Sequence, residues 1–307
     1  MPKVAFVGAG NVGATAAVYL AETDLADIVL IDVVDGMAAG KALDMLAAGP
    51  LRGFTHAVEG TTDMDAVEGA DLVLTTAGLA RKPGMDRMDL LKKNAGIMRG
   101  IAERIKAKAP DAVVVNVANP LDVITEQILR TTGFPRERVI GMAGVLDSAR
   151  FRAFLALELG VARTDVQAMV LGGHGDTMVP LLSGATVSGV PVTDLVPAEK
   201  LEAVVERTRK AGAEVVGLLK TGSAFVSPAA SAVEMIVSIL TGQERLVSAC
   251  VRLEGEYGFR GITLGVPAVL GRGGLRRIVE VKLSDGERAA LERSAEAVRS
   301  GIAALES

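Results

Sequence analysis

Short apolar runs and longer amphipathic segments alternate along the first half of the chain. Residues 3–7 and 28–32 are apolar runs of strand length, and the segment 12–22 between them has the length of a helix. Runs without polar alternation suit strands covered on both faces, the condition of a parallel sheet. The pattern continues with a helix near 37–48, strands near 55–58 and 72–75, a long helix over 89–109, a strand at 112–117, a helix at 121–131 and a strand at 138–141. Strands alternating with helices predict an α/β fold: a doubly wound parallel (Rossmann) sheet with right-handed crossovers.

After Gly144 the rhythm changes. A helix at 147–159, a strand at 166–170 and a hairpin over 185–192 turning at Ser188-Gly189 are followed by helices over 198–240. Short strand-like runs from 246 to 282 are broken by Gly258, Gly261, Gly265 and Gly273-Gly274, and a helix closes the chain. This half predicts a C-terminal α+β domain. The expected division is residues 1–144 for a nucleotide-binding domain and 145–307 for a catalytic, substrate-binding one, with no Pro- or Ser-rich linker to mark it.

Residues 4–21 carry no charge and follow Lys3, so hydropathy alone fits a signal or membrane segment. Three closely spaced glycines argue for a strand, a tight turn and a helix start instead. Gly8-Ala9-Gly10-Asn11-Val12-Gly13 matches G-x-G-x-x-G, and Asp32 follows Gly13 by nineteen residues at the end of the second apolar run. In such a motif the first glycine permits the turn, the second lets backbone approach a pyrophosphate, and the third lets helix pack on strand. The helix N-terminus then holds the phosphates. Asp32 can accept hydrogen bonds from a ribose and would repel a 2′-phosphate, which favours NAD over NADP. Two later strands end in Thr75-Thr76-Ala77-Gly78 and Val117-Ala118-Asn119-Pro120, on the edge where ligands of open α/β sheets bind. Asn119 reads equally as an amide for a ligand and as a turn-opening residue before proline.

Composition narrows the partners. Aromatic residues make up 3% of a chain that is 50% hydrophobic, so aliphatic side chains must fill the core. A net charge of -4 gives no electrostatic footprint for nucleic acid or an anionic membrane. The one cysteine, Cys250, forms no internal disulfide and argues against a structural zinc cluster; it lies in an apolar run and is expected in the core. No metal is expected, and a reducing, cytoplasmic compartment is.

The candidate chemistry lies in three further segments. His174, one of two histidines, sits in Gly172-Gly173-His174-Gly175-Asp176, where flanking glycines allow a sharp backbone turn with open space beside the ring. His56 has no such setting and is expected to be structural. Asp147 and Arg150, three apart on a helix, face one way, either into a cleft, or as a local ion pair, or with Asp147 serving as N-cap. Arg81 and Arg87 lie in a Gly/Pro-punctuated loop over 78–87, either a solvated basic turn or a lid that closes on an anion.

Five motifs in this order, residues 8–13 with Asp32, 81–87, Asn119-Pro120, 147–150 and 172–176, resemble the NAD-dependent lactate and malate dehydrogenase family over essentially the whole chain. The resemblance implies that His174 is the general base and acid, that Asp147 orients and charges its ring, and that Arg150 grips the substrate's C1 carboxylate. It implies that Arg87 polarises the carbonyl after loop closure and that Asn119 binds the same oxygen. It also places Gly8, Gly10, Asn11, Val12, Gly13, Asp32, Thr76, Ala77, Gly78, Asn94, Val117 and Asn119 at the cofactor. Arg81 falls at the position that discriminates substrates, where lactate-oxidising members carry an uncharged residue such as Gln. An arginine closed over pyruvate would be a buried unpaired charge, costing roughly 2–5 kcal/mol. The pair expected is therefore malate and oxaloacetate, a reaction of the tricarboxylic acid cycle, with lactate or another 2-hydroxy acid as the alternative.

Similarity is greatest to the malate-oxidising members nearest the lactate dehydrogenases, notably over residues 141–152 and 219–225. Ser223 and Ala224 are then expected in the substrate pocket or at a close helix approach, and Val226-Ser227 departs from the Tyr and Ala of that pattern. A homodimer or homotetramer is expected, without the N-terminal arm that many lactate dehydrogenases use. NAD-dependent glycosidases of similar fold are disfavoured because they hold a metal with Cys and His. A non-catalytic NAD-binding module leaves His174, Asp147 and the arginines unexplained.

Overall fold

The computed structural model describes residues 1–79 and 87–306, with side chains described for 1–79 and 91–305. The first half runs β1 (Lys3–Val7), α1 (Asn11–Ala21), β2 (Asp27–Ile31), α2 (Met37–Arg52), β3 (Val58–Thr61), β4 (Leu72–Thr75), α3 (Arg87–Lys108), β5 (Val113–Asn116), α4 (Leu121–Thr132) and β6 (Val139–Gly141). Its six strands are parallel, in the order β6-β5-β4-β1-β2-β3. The chain winds outward from β1 to β3, then crosses back to β4 on β1's other side. That reversal opens a crevice at the carboxyl ends of β1 and β4. Both faces of β1, β2, β4, β5 and β6 are buried beyond the first residue of β1 and β2, as uninterrupted apolar runs require, while the edge strand β3 leaves Glu59 exposed.

The second half comprises α5 (Gly144–Leu159), β7 (Val166–Gln167), β8 (Val170–Leu171), β9 (Val179–Pro180), β10 (Thr186–Val187), β11 (Val190–Pro191), α6 (Val192–Leu195), α7 (Ala198–Leu219), α8 (Val226–Thr241), β12 (Arg245–Glu254), β13 (Arg260–Gly271), β14 (Gly274–Ile278) and α9 (Asp285–Glu306). Strands β12 to β14 are antiparallel and extend the first sheet through β6, giving nine strands in one sheet. The join is one residue pair, Cys250 beside Gly141. A Cβ on Gly141 would stand 2.9 Å from that of Cys250 and 2.7 Å from Thr125 Oγ1, so glycine lets the strands meet. Cys250 is core, as expected.

Several elements differ from their expected places. The strand expected at 55–58 lies at Val58–Thr61, where Gly60 lets it pack directly on α2; a Cβ there would stand 2.2 Å from the Ala38 carbonyl oxygen. His56 therefore lies outside the sheet, with its ring against the carboxylate and backbone carbonyl of Asp24. Helix α5 begins at Gly144 with Ala143 as N-cap, so Asp147 is a first-turn residue whose side chain can point inward. The strand expected at 166–170 is two strands in different small sheets, and the hairpin turns at Ser188-Gly189 as expected. Gly261 and Gly265 do not break strands; both lie inside β13.

The β1–α1 turn shows what each glycine of the motif does. Gly8 has φ +107°, and a Cβ there would stand 2.6 Å from Thr76 Oγ1 and 2.8 Å from the Ala77 nitrogen. At Gly13 a Cβ would lie 1.9 Å from the Gly8 carbonyl oxygen. Gly10 is exposed with no atom within 4 Å of its would-be Cβ. Gly13→Ala should therefore push α1 off the sheet and lower unfolding free energy by about 1–3 kcal/mol in urea melts. Gly10→Ala should leave the melt near the parent, because nothing lies within 4 Å of the added methyl, and should weaken NADH in a fluorescence titration if the sequence expectation of a pyrophosphate there holds. Equal effects on both readouts would contradict this separation.

Candidate active site

Two turns of α5 organise the second-half chemistry. Asp147 is buried, 2% exposed by side chain, and each of its oxygens has a cationic or protonatable partner. Oδ2 lies 2.8 Å from His174 Nδ1, and Oδ1 lies 3.4 Å from Arg150 Nη1. A carboxylate at Nδ1 keeps a proton there and directs Nε2 outward, the orientation a proton donor or acceptor needs. The i,i+3 spacing puts Arg150 on the same face. The sequence alternatives merge: the pair is a local ion pair that also faces His174.

Four elements carry His174 to this carboxylate. Ser148 Oγ on α5 accepts from the Val170 N–H at 2.9 Å, and Arg152 Nε donates to the Val166 carbonyl at 2.7 Å, so α5 holds β7 and β8. Gly172 and Gly265 exchange two backbone hydrogen bonds, of 2.8 and 3.2 Å, tying the following loop to β13. Gly172 and Gly175, at φ +85° and +133°, make the sharp turns expected around the ring. The Gly173 N–H donates to Ser294 Oγ at 2.8 Å, and that of His174 to Asp122 Oδ2 at 2.8 Å. Burial pulls the imidazole's proton affinity down and Arg150 opposes protonation as well. The charge and hydrogen bond of Asp147, helped by Asp122, outweigh both and hold the ring above its ordinary value.

On the crevice side, α1 begins at Gly10 with no side-chain cap, leaving the N–H groups around Asn11, Val12 and Gly13 directed at its mouth. Asp32, just past β2, accepts from the Ala9 N–H at 2.7 Å and from the Val34 N–H at 3.0 Å. Lys41 Nζ donates to the Ala9 carbonyl at 2.6 Å, so the glycine loop is gripped from two sides. Thr76 Oγ1 donates to the Gly8 carbonyl at 2.9 Å, and the backbone N–H groups of Thr76 and Ala77 donate to Val7. The turn at 76–78 thus lies directly against the glycine loop. The half-exposed carboxylate of Asp32, the uncapped helix start and the open space at Gly10 together fit a dinucleotide.

Asn94 is buried and uses its amide within the protein: Oδ1 accepts from the Leu79 N–H at 2.8 Å, and Nδ2 donates to the carbonyls of Leu79 and Asn119. It thereby links the segment around Gly78 to the exposed Asn119, which precedes a cis peptide to Pro120. Val117 donates its N–H to the Thr75 carbonyl and continues the same edge. Ser223 and Ala224 lie in the link between α7 and α8. Arg81 lies outside the described residues; Arg87 opens α3, and its side chain lies outside them too. Sequence reasoning missed Lys41, Asp122 and Ser294. Only Asp122 carried a local signal, as an acid in the first turn of a helix close to Asn119.

Residues 2–141 match the family model of the lactate/malate dehydrogenase NAD binding domain, and residues 144–307 that of the lactate/malate dehydrogenase alpha/beta C-terminal domain. A malate dehydrogenase of Thermomicrobium roseum is 52% identical over 303 residues, covering 99% of this chain and 98% of that protein. One from Roseiflexus castenholzii is 49% identical over 304 residues, with the same two coverages. Among solved structures, malate dehydrogenase from Salinibacter ruber superposes with a TM-score of 0.95 at 46% identity, over 99% of this chain and 97% of that one. The lactate dehydrogenase of Cryptosporidium parvum, complexed with lactic acid and NAD, gives 0.96 at 39% identity, over 99% and 98% of the chains. With two family domains spanning the chain and full-length relatives near half identity, this chain belongs to the lactate/malate dehydrogenase family.

Proposed function

We propose that the chain is an NAD-dependent malate dehydrogenase, interconverting (S)-malate and oxaloacetate. The observation that carries the reading is the Asp147 carboxylate shared between a proton-transfer ring and a carboxylate-binding guanidinium. The names of the full-length relatives support the substrate. In this reading Arg150 binds the C1 carboxylate as a planar fork and fixes the reacting carbon. His174 Nε2 takes the hydroxyl proton in oxidation and returns it in reduction. Asp147 holds the ring's tautomer and stabilises its charged form. NAD, when bound, accepts the hydride from the same carbon. Arg87 stabilises charge developing on the carbonyl oxygen, Asn119 donates to that oxygen, and Arg81 meets the second carboxylate. The division of labour falls at 144/145, with a place in the cytoplasm and the tricarboxylic acid cycle.

A homodimer or homotetramer belongs to the same proposal. Leu43 and Leu46, one turn apart on α2, are 69% and 46% exposed, and Leu218 at the end of α7 is 75% exposed. Two exposed leucines on successive turns of one helix are a patch that a second subunit would cover. Light scattering should return two or four times the chain mass, and Leu43→Arg should shift it downward; a monomer at micromolar concentration would sink this part.

Substrate choice is tested by NADH oxidation with oxaloacetate against pyruvate. Oxaloacetate should be favoured, and Arg81→Gln should reduce that preference by at least about tenfold. A parent enzyme that prefers pyruvate would overturn the role given to Arg81.

Reduction needs the protonated imidazole and oxidation the neutral one. With the Asp147 carboxylate holding the ring above its ordinary value, kcat/KM for oxaloacetate should fall with rising pH, and do so at a higher pH than a free imidazole would give. Oxidation of malate should rise over the same range, and Asp147→Asn should move both limbs toward lower pH. Profiles unaffected by that substitution would remove Asp147 from the mechanism.

A further inference from the structure

Asp122 stands outside the machinery assigned above, yet it touches the backbone of the proton-transfer residue. It lies in the first turn of α4, three residues after Asn119, and is 5% exposed. Oδ2 accepts from the His174 N–H at 2.8 Å, while among the described residues Oδ1 is buried without a hydrogen-bond partner. Its own carbonyl accepts from Thr263 Oγ1 of β13 at 2.8 Å, which fixes the start of α4 against the second half.

A carboxylate placed this way is expensive. Burial with one oxygen unsatisfied penalises the charged form, and burial indeed raises the affinity of Asp122 for a proton, against the hydrogen bond from His174. An asparagine could accept from the same N–H without that penalty, so packing does not account for an acid here. What the acid adds is a second carboxylate at His174, bonded to its backbone N–H where Asp147 takes the ring. The loop itself is pinned from three elements: Gly172 by β13, Gly173 by Ser294 of α9 and His174 by Asp122 of α4. Only the last of these bonds reaches the segment carrying Asn119.

We infer that Asp122 is a positioning residue, locking the His174 peptide to the start of α4 so that the ring and Asn119 address the same substrate oxygen. This rests on the acid–base reading of His174. Among the described residues, the charged or titratable groups acting on the ring are Asp147 and Arg150 of α5 and Asp122 of α4. Asp122 in turn faces Cys250 of β12, whose thiol is pushed well up by burial and by the nearby Asp122 and Glu126. That thiol stays protonated through neutral pH, and Asp122 is the group whose removal should be felt at the ring.

Imidazole NMR of the full chain without substrate reads the ring directly, since the only histidines are His56 and His174 and the former serves as internal reference. Asp122→Asn keeps an acceptor for the His174 N–H and removes the charge. It should lower the His174 midpoint below that of the parent. Its kcat for oxaloacetate should stay within about fivefold of the parent. Asp122→Leu removes the acceptor as well and should cost about 100-fold in kcat, with KM and NADH affinity nearly unchanged, as misalignment of a reacting group does. An unmoved His174 midpoint in Asp122→Asn overturns the inference, as does equal damage in both variants. Should Asp122→Leu fail to fold, the Asp122→Asn titration decides alone. Failure of the parent to reduce oxaloacetate would instead strike the proposed activity and leave the titration standing.

Discussion

The arrangement depends on one buried carboxylate. Removing Asp147 from water costs several kcal/mol unless its charge is matched, and it is matched twice, by the ring of His174 and by Arg150. The two partners oppose each other. Asp147 raises the ring's affinity for a proton, and the neighbouring Arg150 lowers it. An anion bound to Arg150 offsets the guanidinium charge and thereby strengthens the ring's hold on its proton. Because linkage is reciprocal, a protonated ring also favours the anion. In the proposed reaction this selects the state that oxaloacetate reduction needs, with no moving part beyond a charge.

That carboxylate and both its partners belong to the second half, and packing sets them beside the crevice of the first. The cofactor-side groups hang from the carboxyl ends of β1, β2, β4 and β5, where strand order reverses, so the crevice follows from topology. The His174 ring comes from the second half, carried in by β8 and held against β13. A single sheet runs through both halves, joined where Gly141 lets Cys250 approach. The distance between ring and crevice is therefore set by packed strands, which yield little, and not by a hinge.

Groups that act through local spacing were legible in the chain itself. The glycine loop, Asp32, and the Asp147–Arg150 pair need only a strand-to-helix turn or one helical turn to be placed. His174 announced itself through the glycines around it. Groups that act through distant partners were not. Lys41 grips Ala9 from 32 residues away, and Ser294 reaches Gly173 from 121 residues away. The merging of the two sheets rests on one residue pair, too little to imprint a pattern. The displaced strand β3 has the same origin, since its position follows from Gly60 meeting the backbone of α2.

Chemistry and choice are carried by different segments in the proposed reading. His174, Asp147 and Arg150 are fastened by interlocking contacts from α4, α5, β13 and α9, so altering them disturbs the packed interior. Backbone shape says little about substrate, because solved malate and lactate dehydrogenases both align with this chain along nearly its whole length. Discrimination must then rest on individual side chains facing the substrate's variable end. In the proposal that is the job of Arg81, on a segment between β4 and α3 whose sequence is punctuated by glycine and proline and free of the apolar pattern that builds the core. In the proposal, exchanging that guanidinium for an amide alters the choice of substrate and leaves the acid–base residues of the second half in place. One rigid acid–base frame can in this way serve 2-hydroxy acids that differ only beyond the reacting carbon.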